Sequence, residues 1–196
     1  MRRSIKGGDY SPENQGLVNL MERSVPDVPH PYTEVFPYVT AETSRHDGTA
    51  WLLFSLGSNL NARYALEVGT AFGYTSLYMA HVHTMERVWT VDIKPCQEAK
   101  ENFEKFDWGR KIRQITGDSL KIDLPVKPGQ LDLLFLDSDY SYEYLKSEWE
   151  RYTPLVKKGG IVVIHDTQQA PVGRFIKEIG SKFPTVNVST TAIIKV

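Results

Sequence analysis

The chain has 196 residues and a net charge of −1, from 23 Lys and Arg against 24 Asp and Glu. Hydrophobic residues make up 41% and charged residues 24%, which is the composition of an ordinary globular protein. A single cysteine, Cys96, excludes a disulfide scaffold. The lack of a basic excess argues against a nucleic-acid partner, and no apolar run approaches the ~18 residues of a membrane span. We therefore expect a cytoplasmic protein with no membrane partner.

Residues 1–45 differ in pattern from the rest of the chain. Helix-like spacing begins after Ser11 and Pro12, which suit the first positions of a helix. Four prolines then follow between Pro26 and Pro37, which forbids a regular helix there. The segment is predicted to be an N-terminal helix followed by a proline- and aromatic-rich stretch. That stretch is either a surface connector or a lid over a ligand site, and residues 46–196 form the main domain.

From residue 46 onward, strand-like and helix-like patterns alternate along the chain. Helices are predicted at 48–60, 74–83, 95–106, 142–156 and 173–183. Strands are predicted at 64–68, 87–92, 111–116, 131–136, 160–164, 186–189 and 192–196. This alternation predicts an α/β fold, a Rossmann-like three-layer sandwich with a mainly parallel seven-stranded sheet. The last two strands leave no room for a helix between them, so they form an antiparallel C-terminal hairpin.

Acidic residues and glycines follow each of the five parallel strands. The residues at these ends are Glu67 and Gly69, then Asp92, then Gly117 and Asp118, then Asp137, then Asp166. In open α/β sheets ligands bind beyond the carboxyl ends of the strands. The five ends together therefore predict one ligand site.

The loop after the first strand indicates the class of ligand. Gly69 and Gly73 allow a tight turn and a close approach of the backbone to a ligand at the start of a helix. A nicotinamide-dinucleotide fingerprint would need glycine where Ala71 and Tyr74 stand. The pattern therefore favours a smaller nucleoside, with Asp92 accepting hydrogen bonds from its ribose hydroxyls. A Rossmann-type oxidoreductase remains the alternative.

From about residue 48 to the end, these motifs resemble the class I S-adenosylmethionine (SAM)-dependent methyltransferases. The resemblance implies that the loop after the first strand holds the methionine end of the cofactor, that Asp92 binds the ribose and that the Gly117 loop borders the adenine. The cofactor-binding residues it implies are Glu67, Gly69, Thr70, Gly73, Asp92, Asp118, Ser119 and Asp137.

Residues 136–143 and 159–167 are similar to a narrower branch of small-molecule O-methyltransferases. That branch includes the catechol, caffeoyl-CoA and macrolide-sugar types and the relatives of cephalosporin hydroxylase. The resemblance implies a divalent cation such as Mg²⁺ held by Asp137 and Asp166. His165 stands where macrolide-sugar enzymes have a second acid, and its ring nitrogen makes it a candidate third ligand that would favour Mn²⁺, Fe²⁺ or Zn²⁺. If Asp166 faces the cleft, strand alternation would instead turn His165 away. Thr167 departs from the catechol-type pattern, which has Asn there.

The expected activity is SAM-dependent transfer of a methyl group to a hydroxyl of a small molecule. Asp137 and Tyr140 are the candidate catalytic residues. Tyr140 stands where catechol-type enzymes have a lysine base, and it could act as a base or as a ring against the substrate. A metal-dependent hydroxylase-like enzyme on the same fold is a further alternative.

Overall fold

The computed structural model describes residues 48–196, so the predicted helix and lid within 1–45 lie outside the described residues. The helices are α1 Thr49–Leu60, α2 Tyr74–His81, α3 Gln97–Glu104, α4 Tyr142–Tyr152 and α5 Ala170–Gly180. The strands are β1 Tyr64–Val68, β2 Arg87–Asp92, β3 Ile112–Thr116, β4 Leu131–Leu136, β5 Val156–Ile164, β6 Thr185–Val188 and β7 Thr191–Lys195. None of the helices from residue 48 onward combines the length and apolarity needed to span a bilayer.

The seven strands form one sheet in the order β3-β2-β1-β4-β5-β7-β6. Strands β1 to β5 are parallel to one another, and β7 pairs antiparallel with both β5 and β6. The predicted sheet and its terminal hairpin are confirmed. The order reverses between β1 and β4, and open α/β sheets bind their ligands beyond the strand ends at such a reversal.

The central strand β4 shows why the molecule has three layers. All six of its residues are buried, and successive side chains point to opposite faces of the sheet. Leu133 and Phe135 join the apolar cluster under α1 and α2, whereas Leu134 and Leu136 join the cluster under α4 and α5. A strand that is apolar on both faces needs helices on both faces, and the order of the elements supplies them.

Several predicted boundaries differ from the observed ones by two to four residues, among them the start of β5, which is Val156 rather than Gly160. Proline explains two of the helix boundaries. The helix predicted over 142–156 ends at Tyr152, because Pro154 lies in a short 3₁₀ turn and β5 begins directly after it at Val156. Helix α5 begins at Ala170 rather than at Gly173, because Pro171 is suited to the first turn of a helix.

Candidate functional site

Main-chain hydrogen bonds join the first residues of the loops after β1 and β4 to the neighbouring strands. The Gly69 N–H donates to the Val91 carbonyl over 2.8 Å, and the Asp137 N–H donates to the Val68 carbonyl over 2.8 Å. These bonds continue the ladders past the strand ends. The first residues of the loops therefore lie at one edge of the sheet, as predicted.

Gly69 allows the β1 loop to approach the β4 loop more closely than any other residue could. A Cβ on Gly69 would lie 2.1 Å from the Asp137 carbonyl oxygen, and the Gly69 φ is +104°. Gly73 also has a positive φ, of +77°, and its missing Cβ would lie 2.3 Å from the ring of Phe103. Both glycines of the predicted motif are therefore required by backbone conformation and by close contact.

Asp92 binds the glycine loop through one carboxylate oxygen. The Thr70 and Ala71 N–H groups each donate to Asp92 Oδ2 over 3.0 Å, and the Lys94 N–H lies 3.3 Å from Oδ1. A carboxylate oxygen accepts more than one hydrogen bond, so Oδ1 keeps capacity for a ligand hydroxyl. The geometry fits the predicted ribose contact and adds a second role, because the same side chain holds the loop.

The side chains of Glu67 and Thr70 are buried beneath the loop after β1. The Glu67 carboxylate is fully buried and accepts hydrogen bonds from the hydroxyls of Thr75, Ser76 and Thr90. The Thr70 hydroxyl is buried against Thr90 over 2.7 Å. Burial raises the pKa of the Glu67 carboxyl to about 7, although the hydroxyls act to lower it. These two side chains hold α2 and the loop to the sheet, and their predicted cofactor contact stays a prediction.

Asp118 and Ser119, predicted on the adenine side, lie in the loop after β3. Asp118 accepts hydrogen bonds from the Lys121 ammonium, from the Leu120 N–H and from the Tyr144 hydroxyl. The Lys121 contact is the main reason that the pKa of Asp118 falls to about 2. The Ser119 side chain is buried and donates to Glu148 over 2.6 Å. Both residues therefore shape this loop through contacts with α4.

Asp137, His165 and Asp166 form the one group in residues 48–196 whose ligand atoms lie close enough together to hold a metal ion. His165 Nδ1 lies 3.1 Å from Asp137 Oδ1 and 3.7 Å from Asp166 Oδ1. All three ligand atoms lie within 4.8 Å of one another. The predicted trio is thus assembled at the ends of β4 and β5.

The expectation that alternation would separate His165 from Asp166 is wrong. Strand β5 ends at Ile164, so neither residue belongs to the pleated part of the chain. Asp166 has a φ of +56°, a left-handed conformation that Asp tolerates better than most residues. This turn brings both side chains to the same side, and it is the kind of backbone strain that is concentrated at functional sites.

The three side chains fit a divalent cation. Ligand atoms about 2.1 Å from an octahedral ion lie about 3 Å apart, close to the spacing of His165 and Asp137. The other ring nitrogen of His165, Nε2, lies 3.3 Å from the Thr190 hydroxyl in the β6–β7 turn. An outer partner of this kind fixes the ring of a ligating histidine. Two carboxylates and one imidazole suit Mn²⁺ or Fe²⁺ as well as Mg²⁺.

Tyr140 lies beside this trio. Burial and then the negative charge of Asp137 raise the pKa of its hydroxyl, which also hydrogen-bonds to Asp166. The phenol is therefore protonated near neutral pH and acts as a hydrogen-bond donor. The prediction that it acts as a base stays a prediction. The residue is 42% exposed, so its ring can pack against a substrate.

Two exposed apolar side chains were missed by sequence reasoning. Ile93, directly after Asp92, is 66% exposed, and Phe72 in the glycine loop is 41% exposed. An exposed apolar side chain at this edge of the sheet can pack against the flat face of a ligand. The signal available in the sequence was an apolar residue immediately after a strand-end acid.

Replacing Gly69 by Ala should disrupt the contact between the two loops. We expect a loss of about 3 kcal/mol in the free energy of unfolding, from the strained φ and the collision with Asp137. Gly129→Ala is the matched control, because Gly129 also has a positive φ, of +68°, but open space around its Cβ position. It should cost about 1 kcal/mol. Urea denaturation measures both, and equal costs would contradict the assigned role of the close approach.

Replacing Glu67 by Gln should change how stability depends on pH. Because the pKa of Glu67 is raised in the folded state from 4.5 to about 7, its stabilisation is complete below pH 4.5 and is lost as pH rises through about 7. Relative to the wild type, Glu67→Gln should therefore gain up to about 3 kcal/mol between pH 4 and 8. Urea denaturation over this range tests it, with the exposed Glu150→Gln as control. Parallel wild-type and Glu67→Gln profiles would contradict the raised pKa.

Comparison with known proteins identifies two relatives in sequence. The O-methyltransferase ankF of Aspergillus thermomutatus is 32% identical over 120 residues, covering 57% of this chain and 48% of that protein. Catechol O-methyltransferase of Mycobacterium tuberculosis is 24% identical over 112 residues, covering 56% of this chain and 50% of that protein. The chain therefore spans about half the length of each of these two relatives.

The solved structures agree on the fold. The crystal structure of the O-methyltransferase TomG from Streptomyces achromogenes, which is in complex with SAM, superposes with a TM-score of 0.61 and 18% identity. The superposition covers 94% of this chain and 90% of TomG. Residues 66–167, more than half of the chain, match the family described as methyltransferase domain. The chain belongs to this methyltransferase family.

Proposed function

We propose that this chain is a SAM-dependent methyltransferase that transfers a methyl group to a hydroxyl of a small molecule. The observation that carries the proposal is the position of Asp137. Its carbonyl oxygen lies against Gly69 of the loop after β1, while its carboxylate contacts His165, which belongs to the candidate metal site together with Asp166. A donor site and an acceptor site therefore meet at one residue, as a direct transfer between two bound reactants requires.

The residues of the glycine loop and β2 form the proposed donor site. Asp92 Oδ1 would accept the ribose hydroxyls, and Ile93 would pack against the adenine. The methionine portion would lie along the loop after β1, whose main chain at Gly69 is in close contact with that of Asp137. That TomG is in complex with SAM, and that the two relatives in sequence are O-methyltransferases, supports SAM as the cofactor.

Asp137, His165 and Asp166 form the proposed acceptor site. A divalent cation, when bound there, would lower the pKa of an acceptor hydroxyl near neutral pH. Asp137 and Asp166 would hold the cation together with His165, and either carboxylate would accept the proton that the acceptor hydroxyl gives up. The Tyr140 ring packs beside the acceptor. The Thr190 hydroxyl fixes the ring of His165 from the side away from Asp137.

The ribose contact is tested by replacing Asp92 with Asn. The Asn side chain keeps one oxygen for the loop N–H groups but lacks the second carboxylate oxygen that faces the ligand. We expect the wild type to bind S-adenosylhomocysteine with micromolar affinity. Asp92→Asn should bind it at least about tenfold more weakly, because the variant loses hydrogen bonds between the ribose hydroxyls and a charged group. Isothermal titration calorimetry measures both affinities, with the exposed Asp107→Asn as the control. Unchanged affinity in Asp92→Asn would contradict the ribose assignment. Binding of NADH in place of S-adenosylhomocysteine would favour the oxidoreductase alternative.

The cation site is tested by metal removal. After chelator treatment, titration with Mn²⁺ or Mg²⁺ should give a saturable heat in the wild type and none in Asp166→Asn. Asn also tolerates the left-handed backbone at this position, so the fold should be kept. Affinity for S-adenosylhomocysteine should be the same in both proteins, because Asp166 lies in the acceptor site. The absence of metal heat in the wild type would contradict the cation.

A further inference from the structure

Helix α4 presents a line of polar side chains to the loop that follows β3. Tyr144, Glu148 and Tyr152 are spaced four residues apart, which places them on one side of the helix. The Tyr144 hydroxyl lies 2.9 Å from Asp118 Oδ1 and 3.1 Å from Ser119 Oγ, and the Tyr152 hydroxyl donates to the Ser119 carbonyl. The loop after β3 is therefore held by three successive turns of α4.

Glu148 also reaches the loop after β4. Its Oε1 accepts hydrogen bonds from Ser119 Oγ over 2.6 Å and from Ser138 Oγ over 2.7 Å, and Ser138 Oγ lies 2.8 Å from Oε2. In the sheet β3 and β4 are separated by β2 and β1, so strand pairing does not join their ends directly. One carboxylate oxygen thus joins the proposed adenine-side loop to the residue that follows Asp137.

The packing of α4 does not require an acid at this position. Leu145 and Trp149 already bury the apolar side of the helix in the core. Glu148 has no exposed surface, and burying a carboxylate costs free energy unless donors satisfy it. An apolar residue would fill the same space without that cost. The carboxylate therefore contributes something that burial alone does not.

We propose that Glu148 is a positioning residue that holds the loops after β3 and β4 at a fixed separation, so that a bound nucleoside and a bound acceptor are aligned. The inference rests on the proposed function for its role in catalysis. The mechanical link between the loops does not depend on that function. A shift of about 1 Å between two reactants is enough to slow a transfer a hundredfold.

The link is tested first without any ligand, by hydrogen–deuterium exchange. In Glu148→Leu, amide exchange should become faster both in 117–122 and in 137–141. In Glu148→Gln it should return toward the wild-type rate, because an amide oxygen accepts both serine hydroxyls. Glu150→Leu is the matched control, since Glu150 is on the same helix and exposed. Faster exchange in only one of the loops, or over the whole chain, would overturn the proposal.

A milder variant covers the case in which Glu148→Leu does not fold. Ser138→Ala removes only the contacts of the β4 loop with Glu148. If the carboxylate connects the loops, exchange at 117–122 should also become faster, although no residue there has been changed. Unaltered exchange at 117–122 would overturn the link.

The effect on the ligand is then measured by titration with S-adenosylhomocysteine. Affinity should fall about tenfold in Glu148→Leu, the size expected for losing hydrogen bonds to a charged group, and should be largely restored in Glu148→Gln. Ser119→Ala and Ser138→Ala should have non-additive effects on affinity. Additive effects, or equal affinity in wild type and Glu148→Leu, would overturn positioning. A wild type that binds no S-adenosylhomocysteine would overturn the proposed function, while the exchange rates still decide whether the loops are linked.

Discussion

The contact between the main chains of Gly69 and Asp137 is the constraint on which the rest of the cleft depends. Because no Cβ fits between them, the loop after β1 lies directly on the loop after β4 at the point where the sheet order reverses. The position of the loop after β1 therefore determines the position of Asp137, and with it that of the candidate metal site formed by Asp137, His165 and Asp166. Asp92 holds the loop after β1 by accepting a hydrogen bond from the Thr70 N–H, and His165 contacts the carboxylate of Asp137. The site is built outward from this one contact.

Two buried carboxylates, those of Glu67 and Glu148, hold the loops that surround the site through hydrogen bonds on their buried side. Glu67 and Glu148 are both fully buried, and hydroxyl groups accompany each of them: Thr75, Ser76 and Thr90 for the first, Ser119 and Ser138 for the second. A buried carboxylate that loses its donors is strongly destabilising, so these contacts resist rearrangement. Loops fixed in this way need little ordering when a ligand binds, which favours affinity and alignment.

Much of this fold could be predicted from the sequence, because short runs rich in apolar residues alternate with segments of helical spacing. The glycines and acids at the strand ends lie at one edge of the sheet, as expected for parallel strands. The direction of each side chain was harder to predict. The side chains of Glu67 and Thr70 are buried under the loop after β1. The left-handed conformation of Asp166 places its carboxylate beside the His165 ring. The spacing of Tyr144, Glu148 and Tyr152 is visible in the sequence, but their partners up to 33 residues away are brought close only by the tertiary fold.

A crystal structure of the complex with S-adenosylhomocysteine would show whether the donor and acceptor sites meet at Asp137. We expect both ribose hydroxyls within hydrogen-bond distance of the Asp92 carboxylate, the adenine between Ile93 and the Asp118 loop, and the sulfur directed toward Asp137. We also expect Glu148 to keep its hydrogen bonds to Ser119 and Ser138 in the complex. A nucleoside bound elsewhere, or one whose sulfur faces away from Asp137, would contradict the assignment of the donor site.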